Sequence, residues 1–596
     1  MTPRACSVRI PITIWIASWM VALTAPAFAD LTITPSLQSE SSEAAFQSTF
    51  ESPLPSTEAA ISSSGGRDVP LMPGWPQTMG FSVPYYPVGV VLADVDGDAD
   101  LEVIAGSTDN RIRVWEHTGT LLPGWPVQVE SQIQSKAAAA DLDGDGDLEI
   151  IVNVKSGSLK VFHHDGTMAS GWPQPSNLTF GFLSPVIYDL DGDGTLEVLV
   201  GGGSLISAWH ADGTPVAGFP VGVGSTITGT LAVGDVTGDG VPEIFAQRSN
   251  YVEGFQADGT PLPGWPALYG LSSSYAAPSI GDLDGDGTRE ILVVGYSFGS
   301  YSQVAVFEPD GTPFPGFPVT FGSAQTYGCP VLGDMDADGD LEIFVAGKLD
   351  PPAFYAWDHT GALLPGWPAP VTYNMEGSAI LGDLDGDAGL EAAIASNYGP
   401  GDIFGYNLDG SVVANFPIAT LGASGPNSPE LGDVDLDGDL DLAFTMMSGD
   451  VAIWDLDVPY DAQTLEWSAL FHDDWNTNQY GFVPGGDPAS APHPPHPPHP
   501  PAAAGLHLGP AYPNPVDGRV QVTFTLASES AVHVTVVDVA GRIVEELHSG
   551  FLPAGRHTVD WSGAGADGAR MPEGVYFVRL VHADGQAHST RVVLTR

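Results

Sequence analysis

A nine-residue acidic phrase of the form D-x-D-x-D-G-x-x-E recurs eight times in this 596-residue chain, beginning at Asp94, Asp141, Asp189, Asp235, Asp282, Asp334, Asp383 and Asp433. Carboxylates at alternate positions of a tight turn converge on one centre. A glycine at position 6 permits the bend, position 7 can add a backbone carbonyl, and the acid at position 9 closes the shell. That chemistry suits Ca²⁺, which takes about six to eight oxygens in flexible, carboxylate-rich loops. An EF-hand loop starts in the same way but closes at its twelfth position between helices. Here the closing acid comes three residues sooner, between β-forming runs.

The candidate ligands are Asp94, Asp96, Asp98 and Glu102 in the first phrase and Asp141, Asp143, Asp145 and Glu149 in the second. Asp189, Asp191, Asp193 and Glu197 follow in the third, and Asp235, Asp239 and Glu243 in the fourth. The fifth offers Asp282, Asp284, Asp286 and Glu290, and the sixth Asp334, Asp336, Asp338 and Glu342. Asp383, Asp385, Asp387 and Glu391 form the seventh, and Asp433, Asp435, Asp437 and Asp441 the eighth. Copies two, three, five and six are complete. Ala99 and Ala388 replace the position-6 glycine in the first and seventh, and Leu436 occupies position 4 of the eighth. Thr237 replaces a carboxylate in the fourth, which should bind most weakly. The phrases hold 35 of the chain's 73 Asp and Glu, against 18 Lys and Arg, for a formal net charge of -55. Two carboxylates about 4 Å apart repel by roughly 1–4 kcal/mol depending on screening. The expected cofactor is therefore Ca²⁺, several ions and up to eight.

The elements that would position these turns recur with them. The phrases are spaced 47, 48, 46, 47, 52, 49 and 50 residues apart. A short apolar run enters each phrase and another leaves it. A third ends in an aromatic residue and a tight turn, as in Leu159-Lys160-Val161-Phe162 before Asp165-Gly166. A fourth closes on Gly-Trp-Pro or Gly-Phe-Pro at Trp125, Trp172, Phe219, Trp265, Phe317 and Trp367, with Asn415-Phe416-Pro417 a degenerate copy. Four short antiparallel strands per unit of about 47 residues, without helical periodicity, predict an all-β chain folded as a β-propeller. Eight phrases predict eight blades with cation-binding hairpin loops; a seven-bladed ring with one capping unit is the alternative. The repeated Trp residues read as packing between blades rather than as a sugar-binding platform. An early Gly74-Trp75-Pro76 lacks a third strand before it and would complete the last blade, although Trp467 to Trp475 offers a rival.

Residues 1–29 read as a signal peptide: Arg4 and Arg9, an apolar run from Ile10 to Leu23, and Ala27-Phe28-Ala29 before the cleavage point. Residues 30–66 form a Ser-rich leader, 67–484 the propeller, 485–505 a Pro/His-rich linker carrying His493, His496 and His499, and 506–596 a compact β-rich module. Cys6 leaves with the signal, so Cys329 has no intrachain partner and metal becomes the expected staple. The acidity argues against nucleic-acid and membrane-surface partners.

The phrases and their period resemble the FG-GAP/VCBS-type repeats, which include the propeller of integrin α-subunits. The resemblance covers about 67–484 and implies a Ca²⁺-stabilised scaffold for adhesion or ligand binding. The last module resembles Ig-like sorting and hook-capping-type domains. Tyr512-Pro513-Asn514-Pro515, Val537-Asp538-Val539-Ala540-Gly541-Arg542, Trp561 and Glu573-Gly574-Val575-Tyr576-Phe577 carry that likeness. It implies an Ig-like β-sandwich serving export through a type IX system or attachment at a bacterial surface, with the secretion machinery as a possible partner.

The expected function is a secreted or surface scaffold whose partner is a protein or glycan. A Ca²⁺-dependent polysaccharide lyase on the same ring is the competing reading, and a lyase needs cations to neutralise uronates and a base to take a proton. Residues 67–484 hold nine Lys and Arg (Arg67, Arg111, Arg113, Lys136, Lys155, Lys160, Arg248, Arg289, Lys348), scattered over several units. No Ser-His-Asp or Cys-His spacing stands out, and nothing reads as a quinone site. The lengthened loops at 296–303, 347–353 and 397–402 are the candidates for recognition.

Overall fold

The computed structural model describes residues 69–79, most of 89–482, Pro484, and the strands between 507 and 594. Within 89–482, positions 178–180, 274, 298–299, 323–324, 349–352, 372–373, 388, 398–400 and 422–426 fall outside the described residues, as do 80–88 before them. The expected signal peptide, leader and Pro/His linker also lie outside, as do parts of the three lengthened loops. Among the described residues the one helical turn is a 3-10 turn at Ala462–Thr464, and no helix is long and apolar enough to cross a membrane.

Eight antiparallel sheets follow one another from 77 to 467, each built on one acidic phrase and numbered here in that order. The first consists of Val91–Ala93, Glu102–Gly106, Arg111–Trp115 and Val127–Gln128, paired in sequence. The first strands touch in chain order from the first sheet to the sixth, Leu465–Trp467 touches those of the sixth and the seventh, and that of the first sheet touches that of the eighth. The eighth sheet takes its fourth strand from the other end of the chain: Gln77–Thr78 pairs with Asp450–Pro459. The Gly74-Trp75-Pro76 segment thus belongs to that sheet, and the ring closes as the period predicts.

Apolar side chains of each sheet pack against the next sheet, so the core is a series of inter-sheet layers rather than one centre. The Gly-Trp-Pro turns join these layers. Trp125 lies 6.1 Å from Phe162 of the second sheet, and its indole N–H donates to the His164 carbonyl at 2.7 Å. Trp75, Trp172, Trp265 and Trp367 each donate in the same way to a turn carbonyl of the following sheet. Glycine precedes the aromatic for a steric reason: at Gly264 (φ +92°) a Cβ would meet the Asp310 carbonyl oxygen at 1.8 Å. The repeated Trp residues are inter-sheet packing, as read from their equivalence.

The rival candidate at Trp467 to Trp475 does something else. Leu465–Trp467 pairs with the first strand of the seventh sheet, Ile380–Gly382. The chain then crosses the inner strands. Leu431, Ala139, Ile187, Val233 and Ile280 donate backbone N–H groups to the carbonyls of Ser468, Asp474, Trp475, Thr477 and Asn478. The Asp334 N–H binds the Glu466 carboxylate at 2.7 Å. Trp467, Asn476, Thr477 and Asn478 are fully buried. The chain's own residues 465–482 therefore occupy the centre of the ring.

The C-terminal module is described by itself. A three-stranded sheet (His507–Tyr512, Val520–Leu526, Gly555–Trp561) and a four-stranded sheet (Ser530–Asp538, Ile543–Leu552, Gly574–His582, Ala587–Leu594) share a core of Val520, Val522, Val534, Val536, Trp561, Val578 and Leu580. Two antiparallel sheets around one core make the predicted β-sandwich.

Candidate metal centres

Each acidic phrase is the hairpin between the first and second strands of its sheet. In all eight, the N–H of position 2 donates to one oxygen of the closing acid, at 2.7 Å for Val95 on Glu102 and 3.0 Å for Val236 on Glu243. The acid at position 1 accepts N–H groups from the turn itself. Asp189, for example, takes Gly192 at 2.8 Å and Gly194 at 3.0 Å. The position-2 bond takes one oxygen of the closing acid, whereas the turn takes both oxygens of Asp189.

The turn requires left-handed backbone at two positions, not one. Position 6 has φ between +85° at Gly240 and +100° at Gly146, and position 4 has φ +76° at Gly144 and +73° at Gly192. Ala99, Ala337 and Leu436 adopt such angles without being glycine, each at a cost of about 1 kcal/mol or more. The sixth phrase, complete by its carboxylates, therefore carries strain at Ala337 that its acids do not reveal. Ala388 lies outside the described residues.

Predicted ligands of the first three phrases come together within their own phrase. Ligand oxygens of Asp94, Asp96 and Asp98 lie within 4.8 Å of one another, as do those of Asp141, Asp143 and Asp145, and of Asp189, Asp191 and Glu197. In the fourth to eighth phrases the neighbouring carboxylates act on the closing acid electrostatically. The closing acids are at most 3 % exposed. Burial, followed by repulsion from neighbouring acids, pushes Glu102 and Glu391 up to about 9, Glu290, Glu342 and Asp441 to about 8, and Glu243 to about 7. The smallest of these rises is in the fourth phrase, where Thr237 removes one charge.

These residues fit a hard divalent cation. Glu102 is fully buried, yet its Oε1 has no hydrogen-bond partner; the same holds for Oδ1 of Asp96, Asp282, Asp385 and Asp433. Buried polar atoms are nearly always satisfied. Orphaned anionic oxygens at position 1, 3 or 9 of four of these hairpins mark where positive charge is wanted.

The sequence reading missed a further position. The residue after the third-strand aromatic stands across the ladder from the closing acid, as in Glu197↔His210, Glu243↔Gln256, Glu391↔Asn407 and Asp441↔Asp455. Its side chain therefore faces the phrase. His163 Nδ1 lies 2.8 Å from Glu149 Oε1, and His210 Nδ1 lies 2.9 Å from Glu197 Oε1. The aromatic residue followed by a polar one in every repeat was the available signal, and it was read only as packing plus turn.

Comparison with known proteins agrees with this architecture. The FG-GAP-like repeat model matches residues 94–152, 141–200, 235–293 and 282–345, which include the first six phrases. The FlgD Ig-like domain model matches 513–586. No curated protein matches the chain. Among solved structures, the Vibrio cholerae biofilm matrix protein Bap1 is 15% identical, covering 68% of this chain and 93% of its own, at a TM-score of 0.48. Saccharomyces cerevisiae Sqt1 is 9% identical, with 65% and 98% covered, at 0.41. Porphyromonas gingivalis PorZ, a surface component of the type-IX secretion system, is 11% identical, with 83% and 74% covered, at 0.31. None of the three reaches a TM-score of 0.5, and none bears on what this chain does. The chain carries FG-GAP-like repeats folded as a β-propeller, followed by a FlgD Ig-like domain.

Proposed function

We propose that this protein is a secreted or cell-surface, calcium-loaded, eight-bladed β-propeller that serves as a scaffold for adhesion or ligand binding rather than as an enzyme. One observation carries the reading: eight equivalent hairpins each bury a closing carboxylate among further acids, and several leave anionic oxygens without partners. Divalent ions are the simplest source of the missing charge. The FG-GAP-like repeats support a scaffold role. The centre of the ring, filled by residues 465–482, leaves a ligand the rim and the inter-strand loops. Its partner would be a protein or glycan at the surface. The Ig-like domain would serve export or attachment, and the N-terminal signal would direct secretion.

Calorimetry with chelated and Ca²⁺-reloaded full-length protein tests the ion: saturable binding of several equivalents is expected, and none would overturn the reading. A glycan-array and pull-down screen in Ca²⁺ tests the scaffold role. Specific retention without turnover is expected, whereas depolymerisation of any retained polysaccharide would establish the lyase alternative.

A further inference from the structure

The eight hairpins are not equivalent in the atoms they offer. Across the ladder from the closing acids stand, in order, Glu116, His163, His210, Gln256, Glu308, Asp358, Asn407 and Asp455. Six of these carry oxygen donors and two carry an imidazole. In the second sheet, ligand atoms of Asp143, Glu149 and His163 lie within 4.8 Å of one another. In the third, His210 takes the same place beside Glu197, which lies within that distance of Asp189 and Asp191. In the first sheet, where Glu116 stands in the histidine's place, the matching Oε1 of Glu102 is buried and has no partner. That oxygen is the atom the histidine nitrogens face.

We propose that His163 and His210 complete nitrogen-bearing sites in the second and third hairpins, so that these two take an imidazole-accepting divalent cation of the Mn²⁺, Co²⁺ or Zn²⁺ type in preference to Ca²⁺. This rests on the reading that the hairpins hold cations. Imidazole suits first-row transition ions, whereas all-oxygen sites suit Ca²⁺ and Mg²⁺. The nitrogen-to-oxygen separations of 2.8 and 2.9 Å are hydrogen-bond lengths, in which a cation would take the place of the shared proton. His117, His164 and His359 stand one residue further along and meet the seventh-position acids Asp100, Asp147 and Asp340 instead. They lie outside the ligand positions and serve as internal controls.

The test is a Co²⁺ titration of chelated full-length protein in excess Ca²⁺, read by visible d–d absorption and by calorimetric stoichiometry. Wild type is expected to hold two equivalents that Ca²⁺ does not displace. His163→Gln and His210→Gln should each lose one, with Co²⁺ affinity at the altered site falling at least tenfold. His164→Gln should keep both. Counting the difference between proteins cancels any contribution from the His493, His496 and His499 tract. Circular dichroism and an unchanged Ca²⁺ stoichiometry at the other hairpins verify that each variant is folded, and His163→Asn gives a second truncation. Equal Co²⁺ retention in wild type and the double variant, with Ca²⁺ binding normal, overturns this assignment alone. Absence of any divalent binding at the hairpins overturns the calcium reading and this one together.

Discussion

The rim hairpins and the centre of the ring both bury carboxylates, but they neutralise them in different ways. At the centre, Lys136 is fully buried, lies 3.4 Å from Glu430, and donates to the carbonyls of Leu470 and Asp473. Lys348 likewise lies 2.6 Å from the fully buried Glu376. Among the described residues no Lys or Arg pairs with a hairpin carboxylate; the side chains that approach these acids are histidines, as at Glu149 and Glu197. Arg289, the one basic side chain within a phrase, donates to the backbone carbonyl of Asp235. Where closure of the ring must not depend on solution conditions, the cation is covalent. On the proposed reading the eight hairpins would take theirs from solution, and their stability would become a function of ion concentration.

The contrast breaks most visibly if the imported ions are removed. Chelation at pH 8 should lower the melting temperature by on the order of 10 °C, since each saturated site contributes a few kcal/mol, and added Ca²⁺ should restore it. Insensitivity to chelator would mean that the hairpins, like the centre, need no external charge.

Removing the built-in cation should hurt whether or not Ca²⁺ is present. Lys136→Met leaves Glu430 buried and unpaired, at a cost of about 3–5 kcal/mol in denaturant unfolding, and Glu430→Gln in the same chain should recover much of it. A loss that Ca²⁺ repairs would blur the distinction between the two regions.

The pH dependence sharpens it further. The closing acids have folded values raised above the ordinary one, up to about 9 at Glu102 and Glu391 and about 8 at Glu290. In chelated protein their contribution to stability is fully present below about pH 4.5 and is lost as pH rises through about 7–9. A bound cation reverses this preference. The gain in melting temperature on adding Ca²⁺ should therefore grow steadily from pH 5 to pH 9, by several degrees; a flat or falling difference would contradict the burial argument.

The smallest effects separate one hairpin from another. Glu342→Gln in the sixth phrase should remove one Ca²⁺ equivalent by calorimetry and lower the melting temperature by about 2–4 °C for each kcal/mol lost. Asp239→Asn, in the carboxylate-poor fourth phrase, should cost less. Equal losses would show that ligand count does not grade the sites.

The site was more legible than the ring that holds it. Spacing alone picked out the acidic clusters, because a hairpin's convergence is local: positions 1, 3, 5 and 9 are joined by one turn, and N–H groups a few residues away orient the first and last of them. Left-handed backbone at position 4 escaped notice because Ala337 and Leu436 occupy it as well as glycine. The cross-ladder residue escaped because it lies 13 to 18 residues from its acid, and only strand register sets them opposite.

Sequence by itself determined the repeat, the four-strand unit, the acidic turns and the inter-sheet role of the tryptophans, since each depends on contacts within one unit or between neighbours in the chain. Tertiary structure decided how the ring closes, with Gln77–Thr78 completing a sheet whose other strands begin at Glu430, and what fills its centre. Asn476 reaches the carbonyls of Ala137 and Pro185, about 290 to 340 residues away in sequence. No local pattern encodes such a partner. It is fixed only when all the inner strands are in place and their unpaired backbone groups need something to bind.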